Sequence, residues 1–268
     1  MKKEMEEFER SFAELLKSSV LPMEAVLQYV GGVAGKRLRP RLVYQSARLF
    51  GEISEATRRT ALFVELLHTA TLIHDDVVDA SDSRRGQMSV NAKWDSKTAV
   101  LAGDYLLSKA MLLLSNPEDH LILKEMLGVA MAMSEGELLQ LGGENGEVRT
   151  ERLEVRDKDV QNYLEIISRK TARLIRACCV GGALSVGASQ EALDKVGNLG
   201  LNLGLVFQMR DDVLDHDTAE TTALAERLLP EYLDRTMLSL EALAPVVEHP
   251  EVLEDFKELA LFCAQRES

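Results

Sequence analysis

Proline is absent from most of this chain, and that constrains its fold more than any other feature. The 268 residues hold six prolines: Pro22, Pro40, Pro117, Pro230, Pro245 and Pro250. Residues 41–116 and 118–229 therefore contain none. An interior proline costs a helix about 3 kcal/mol, so long proline-free stretches rich in Leu, Ala, Met and Glu suit helices. Aromatic residues are only 5% of the chain, and valine-rich alternation is scarce, so little strand signal is expected. Apolar positions recur instead at helical spacing. Leu62, Leu66, Ala70 and Ile73 line one stripe in 61–80, and Leu101, Leu106, Met111 and Leu112 another in 98–114. Similar stripes run through 119–141, 160–188 and 192–216. Asn116–Pro117, Gly142–Gly146 and Gly187 read as stops. The pattern predicts an all-α chain of about ten or more helices, one domain over 1–268, with no repeat period.

Composition narrows the functional classes. Apolar residues make up 46%, enough for a large core, and the net charge is −13. That charge argues against a nucleic-acid partner bound through the overall field. No uninterrupted apolar run reaches the roughly 18 residues of a membrane span. The opening MKKEMEEFER lacks the apolar centre of a signal peptide. Three cysteines, Cys178, Cys179 and Cys263, two of them adjacent, do not make a disulfide framework. A reducing cytoplasm is the expected setting.

Two acidic clusters stand out. Asp75, Asp76 and Asp79 lie in TLIHDDVVDAS, and Asp211, Asp212 and Asp215 in GLVFQMRDDVLDH. Each has the spacing i, i+1, i+4, which puts the first and last on one helix face. A single such cluster is most often a solvated acidic face. Two copies, each within an otherwise apolar helix, are costly unless a cation relieves the repulsion. A hard divalent ion such as Mg²⁺ takes one or two carboxylates and completes its shell with water and substrate phosphate. Basic residues answer the acids. Lys36, Arg37 and Arg39 fall within GKRLRP at the expected start of a helix, where phosphate is attracted. Arg84 and Arg85 follow the first cluster, Lys170 follows the stripe containing Tyr163 and Ile167, and Gln208 lies one turn before Asp211 and Asp212.

These stretches together resemble the trans-isoprenyl diphosphate synthases, or polyprenyl synthetase family, of long-chain type. The match rests on GKRLRP at 35–40, ELLHTATLIHDDVVDASDSRRG at 65–86, AVLAGDYLLSKA at 99–110, EGELLQ at 135–140, KTA at 170–172 and FQMRDDVLD at 207–215. The resemblance implies an all-α fold around a central cavity whose mouth carries two facing aspartate motifs. It implies a prenyltransferase that condenses isopentenyl diphosphate with an allylic diphosphate into an all-trans polyprenyl diphosphate, a quinone side-chain precursor. Lys36, Arg39, His68 and Arg85 would bind isopentenyl diphosphate. Arg84, Lys170, Thr171 and Gln208 would hold the allylic diphosphate. Asp75, Asp79 and Asp211 would ligate Mg²⁺, supported by Asp76, Asp212 and Asp215. A homodimer is implied, with the apolar helices near 99–141 as the interface. A shorter-chain synthase, a non-catalytic subunit of a heteromeric synthase and a class I terpene cyclase are the other readings. GKRLRP opposes the cyclase, which has no isopentenyl diphosphate to bind.

The chain departs from the family after Asp215. The family continues there with a loop carrying two Gly-Lys pairs; this chain runs LDHDTAETTALAERLLPEYLDRT. A loop-and-helix segment after about residue 217 is thus missing relative to the family, with the lysine that helps close the site. Ala70 and Thr71, one turn before Asp75, are small where short-chain members tend to carry an aromatic residue. The expected product is therefore geranylgeranyl length or longer, since each buried CH₂ contributes about 0.8 kcal/mol in an open tunnel. Met111, Met131 and Met133 are candidates for the tunnel floor.

Overall fold

The computed structural model describes residues 1–32, 35–144, 155–216 and 218–266. Within them the chain forms α1 (Lys2–Leu15), α2 (Leu21–Gly31), α3 (Leu38–Phe50), α4 (Glu55–Val78), α5 (Val90–Lys93) and α6 (Ser96–Leu113). These are followed by α7 (His120–Glu144), α8 (Val155–Ile167), α9 (Arg173–Leu184), α10 (Gln190–Asp215), α11 (Ala219–Leu243) and α12 (Val252–Gln265). The expected all-α class holds.

Side-chain caps fix where the long helices begin. Ser54 starts α4 with a reciprocal capping box to Thr57, accepting from Thr57 N at 3.1 Å. Asp95 starts α6 by accepting from Thr98 N at 2.7 Å, and Ser189 starts α10 by accepting from Ala192 N at 3.3 Å. Helix α4 runs through the middle, against α3, α6 and α9, and buries Phe63, Leu66, Leu67 and Ile73. Helix α9 lies on α3 so closely that a Cβ at Gly182 would stand 2.3 Å from the Val43 carbonyl. Helices α9, α10 and α11 continue the packing, and α12 turns back onto α10, α11 and α3.

Four expectations need correcting. The stretch 160–188 is not one helix: a π-helical turn, Ser168–Ala172, separates α8 from α9. A little strand is present: Ser83–Arg84 (β1) and Gln87–Met88 (β2) pair antiparallel. Their two-residue turn, Arg85–Gly86, has positive φ at both positions, 51° and 77°, the conformation that matches strand twist in a tight hairpin. Met111 and Met131 are 38% and 67% exposed, so neither floors an internal tunnel. Helix α7 extends to Glu144 through the expected stop at Gly142, while Gly146 lies outside the described residues. Pro230 sits inside α11 and does not end it.

Candidate active site

Both aspartate clusters sit at helix C-terminal ends. Asp75 and Asp76 occupy the last turn of α4, with Asp79 as its C-cap. Asp211 and Asp212 lie in the last turns of α10, and Asp215 ends it. A helix C-terminus already carries partial negative charge, and neither last turn contains a basic residue. Carboxylates placed there add to an unfavourable field, and a cation removes the conflict.

The acids are held very differently from one another. Asp76 is buried and accepts from Arg84 Nε at 2.7 Å. Asp212 is buried and accepts from Tyr163 Oη at 2.6 Å and from Gln208 Nε2 at 2.8 Å. Burial and the Asp212 bond push the Tyr163 hydroxyl well above its usual range, so it stays a donor. Gln208 Oε1 accepts from Thr171 Oγ1 at 2.6 Å, which ties the π-turn to the second cluster. Asp211 pairs with Arg266, whose guanidinium also lies 4.3 Å from the Phe207 ring centroid. Burial raises the Asp211 carboxyl above its ordinary value. Asp75 is pushed up to about 6, first by burial and then by the nearby negative charge of Glu137. Asp79 and Asp215 are exposed.

Lys170 points from the π-turn to α7, with Nζ 2.6 Å from Gln140 Oε1 and 2.8 Å from Glu137. The turn fits there because Gly136 and Gly204 have no side chains. A Cβ at Gly136 would lie 3.1 Å from Lys170 N, and one at Gly204 2.6 Å from Ala172 Cα.

The remaining cations gather around a cavity of about 1080 Å³. Lys36, Arg39, His68, Arg85, Asp211 and Arg266 line it. Arg39 is half-buried, and its Nε is buried without a hydrogen-bond partner. A guanidinium with an unused buried donor is a ready anion site. Burial, with Arg39, Arg85 and Arg84 nearby, pulls His68 well below its ordinary value and keeps the ring neutral. Gly35 brings the GKRLRP loop against the hairpin: its Cβ would stand 3.1 Å from Arg85 Nη1.

The geometry therefore assembles the expected residues in two groups. Lys36, Arg39, His68 and Arg85 share one cavity, and Thr171, Gln208 and Asp212 share one hydrogen-bond chain. Among the described residues no three acidic, His or Cys side chains already close on a single point. The donor set nevertheless suits a hard divalent cation, because burial and the charge of Glu137 outweigh the pull of Lys170 and Arg84 on Asp75. Ala70 is buried in the core and lines neither this cavity nor the smaller one beside it. Sequence reasoning missed Tyr163 as a partner of Asp212, Glu137 and Gln140 as partners of Lys170, and Arg266. EGELLQ contained a signal for Glu137 and Gln140; Arg266 had none.

Comparison with known proteins identifies the family. The Polyprenyl synthetase family profile matches residues 21–224. The chain is 35% identical over 216 residues to an all-trans-nonaprenyl-diphosphate synthase (geranyl-diphosphate specific) of Rhodobacter capsulatus, covering 80% of this chain and 63% of that protein. It is 36% identical over 198 residues to a geranylgeranyl diphosphate synthase of Methanosarcina mazei, covering 72% and 58%. The chain thus spans about three fifths of the length of these relatives. The fold superimposes on a polyprenyl synthase from Caulobacter crescentus CB15 complexed with calcium and isoprenyl diphosphate, with TM-score 0.81 and 27% identity, over 100% of this chain and 96% of that one. With a family match across the GKRLRP loop, both aspartate clusters and the helices that carry them, the chain belongs to the polyprenyl synthetase family.

Proposed function

We propose that this chain is a Mg²⁺-dependent trans-prenyltransferase that condenses isopentenyl diphosphate with an allylic diphosphate into a long all-trans polyprenyl diphosphate. One observation carries the reading: carboxylate clusters end α4 and α10, with Asp211 lining the larger cavity and Asp76 the smaller one beside it, and Arg39 Nε in the larger cavity is buried without a partner. Asp75, Asp79 and Asp211 would hold the divalent cations, which would draw charge off the leaving diphosphate. Lys170, Thr171, Gln208 and Arg84 would orient the allylic diphosphate. Lys36, Arg39, His68 and Arg85 would bind isopentenyl diphosphate.

In the reaction the allylic C–O bond breaks and its electron pair leaves with the diphosphate. The isopentenyl double bond attacks the allylic carbon, forming the new C–C bond. The proton lost afterwards goes to the departed diphosphate, so no protein nucleophile is required. The fixed cations act by electrostatic preorganisation. We place the protein in a reducing cytoplasm, in keeping with three free, buried cysteines, and read the domain as one unit over 1–268. Among the described residues no single helix is long and apolar enough to cross a membrane, and the product would be delivered to one. A homodimer through α6 and α7 completes the reading. A shorter product is the second reading, favoured by the likeness to the geranylgeranyl diphosphate synthase.

Radiolabelled isopentenyl diphosphate with farnesyl diphosphate tests this directly. Products longer than geranylgeranyl diphosphate should form with Mg²⁺, vanish with a chelator and return when Mg²⁺ is restored. Shorter products alone would select the second reading. No elongation at any Mg²⁺ concentration would reject both.

A further inference from the structure

Arg37 is the middle cation of GKRLRP, yet its side chain is taken up by two carboxylates of the protein itself. It sits at the N-cap of α3 with φ of 50°, in the left-handed region that L side chains seldom adopt. Its guanidinium is fixed on every side. Nε and Nη2 donate to the two carboxylate oxygens of Glu9 on α1, at 2.8 and 3.1 Å. Nη1 donates to Glu65 Oε1 on α4 at 2.7 Å. Its Cζ lies 4.7 Å from the Phe12 ring centroid and 5.9 Å from that of Phe8. The Glu65 side chain is 8% exposed and that of Arg37 13%.

Glu65 is out of place for the chemistry around it. It lies one turn before His68 on α4, and it lines the same cavity as Lys36, Arg39, His68 and Arg85. Arg37 and Glu65 also line the smaller cavity next to it, so the pair forms part of the wall between the two. A bare carboxylate in that wall would repel an incoming diphosphate at low local dielectric.

We infer that Arg37 is a positioning residue for isopentenyl diphosphate: it neutralises Glu65 and pins the GKRLRP loop between α1 and α4, so that Lys36 and Arg39 face an anion and not a carboxylate. The inference rests on the assignment of that cavity to isopentenyl diphosphate. Arg37 does not itself contact the ligand. Lysine cannot replace it, because one ammonium cannot span Glu9 and Glu65 in the planar fork that arginine provides.

The test is a charge-compensation cycle. Arg37→Gln leaves Glu65 unpaired. It should raise KM for isopentenyl diphosphate about tenfold or more, with KM for the allylic substrate nearly constant. Arg37→Lys, the gentler change, should move the same constant in the same direction. Adding Glu65→Gln to either variant removes the stranded carboxylate and should recover most of the loss. Calorimetric binding of isopentenyl diphosphate and of inorganic pyrophosphate gives a readout independent of turnover, and melting temperatures show that each variant is folded. If the double variants bind no better than the single ones, Arg37 acts by contact or not at all, and the inference falls while the pocket assignment stands. If the unaltered protein binds neither anion, the pocket assignment falls and takes the inference with it.

Discussion

The proposed role of Asp75 would come at the expense of stability. Its carboxyl titrates at about 6, raised by burial and by Glu137 from an ordinary value of 3.8. The folded protein therefore binds more protons than the unfolded chain between those values, and stability falls as pH rises from about 4 through 6. At pH 7 and without a divalent cation the ionised group works against the fold. Asp75→Asn should thus stabilise cation-free protein by about 1–3 kcal/mol at pH 7, with the gain disappearing near pH 4. The same change should lower turnover by several orders of magnitude, as loss of a metal ligand does. Mg²⁺ with pyrophosphate should raise the melting temperature of the unaltered protein and do much less for the variant. Thermal melts across pH, with and without Mg²⁺, check all three. An Asp75→Asn protein less stable than the original at pH 7 would show that the carboxylate is a structural partner and not a held charge. The sequence carried the two ends of this argument, because i, i+4 aspartates in an apolar helix announce a cation. It could not carry Glu137, which reaches Asp75 from another helix.

Elements account for most of what was legible and for the clearest miss. Stripes at 3.6-residue spacing and the absence of proline revealed α4, α6, α7 and α10, because burial on one face and caps such as Ser54 and Asp95 are local properties. The π-turn at Ser168–Ala172 left no such trace: its extra residue is accommodated by glycines more than thirty residues away on either side. Gly136 on α7 and Gly204 on α10 enclose it, and the π-turn is what lets Lys170 meet α7 while Thr171 meets Gln208. A methyl group at Gly204 would fall 2.6 Å from Ala172 Cα and 3.0 Å from its carbonyl oxygen, both backbone atoms that cannot swing aside. Gly204→Ala should therefore cost about 1–3 kcal/mol of stability through overpacking. It should also raise KM for the allylic diphosphate more than for isopentenyl diphosphate, since it displaces Thr171 and leaves Lys36 and Arg39 untouched. Melting temperature and the two Michaelis constants measure this. Equal changes in both constants would mean that the turn does not position the allylic group.

At the scale of the whole molecule, what the sequence could not show is what depends on the chain returning upon itself. Helix α12 brings Arg266 to Asp211, and Arg210 holds the Arg266 carbonyl with two bonds of 2.8 and 2.6 Å. Nothing local announces that contact, although it meets part of the electrostatic demand of the second cluster. The outer surface is a different matter, because its chemistry is plain from composition along two helices. On α6, Leu101 and Leu112 are 62% and 71% exposed; on α7, Leu121, Met131 and Leu138 are 54%, 67% and 67% exposed. Isolated apolar residues on a surface are ordinary, but several exposed on two consecutive helices offer apolar surface of the kind that associates. Covering such a face in a stable dimer would bury about 800 Å² per partner or more. Leu112→Glu with Met131→Glu would put two charges into it. Because both side chains stand clear of the core, the folded chain should lose little stability on its own, while the dimer should dissociate at micromolar concentration. Sedimentation velocity across a dilution series distinguishes the outcomes. A double variant that remains dimeric would move the interface elsewhere, and an unaltered protein that is monomeric throughout would show that the exposed face is not an interface between copies of this chain.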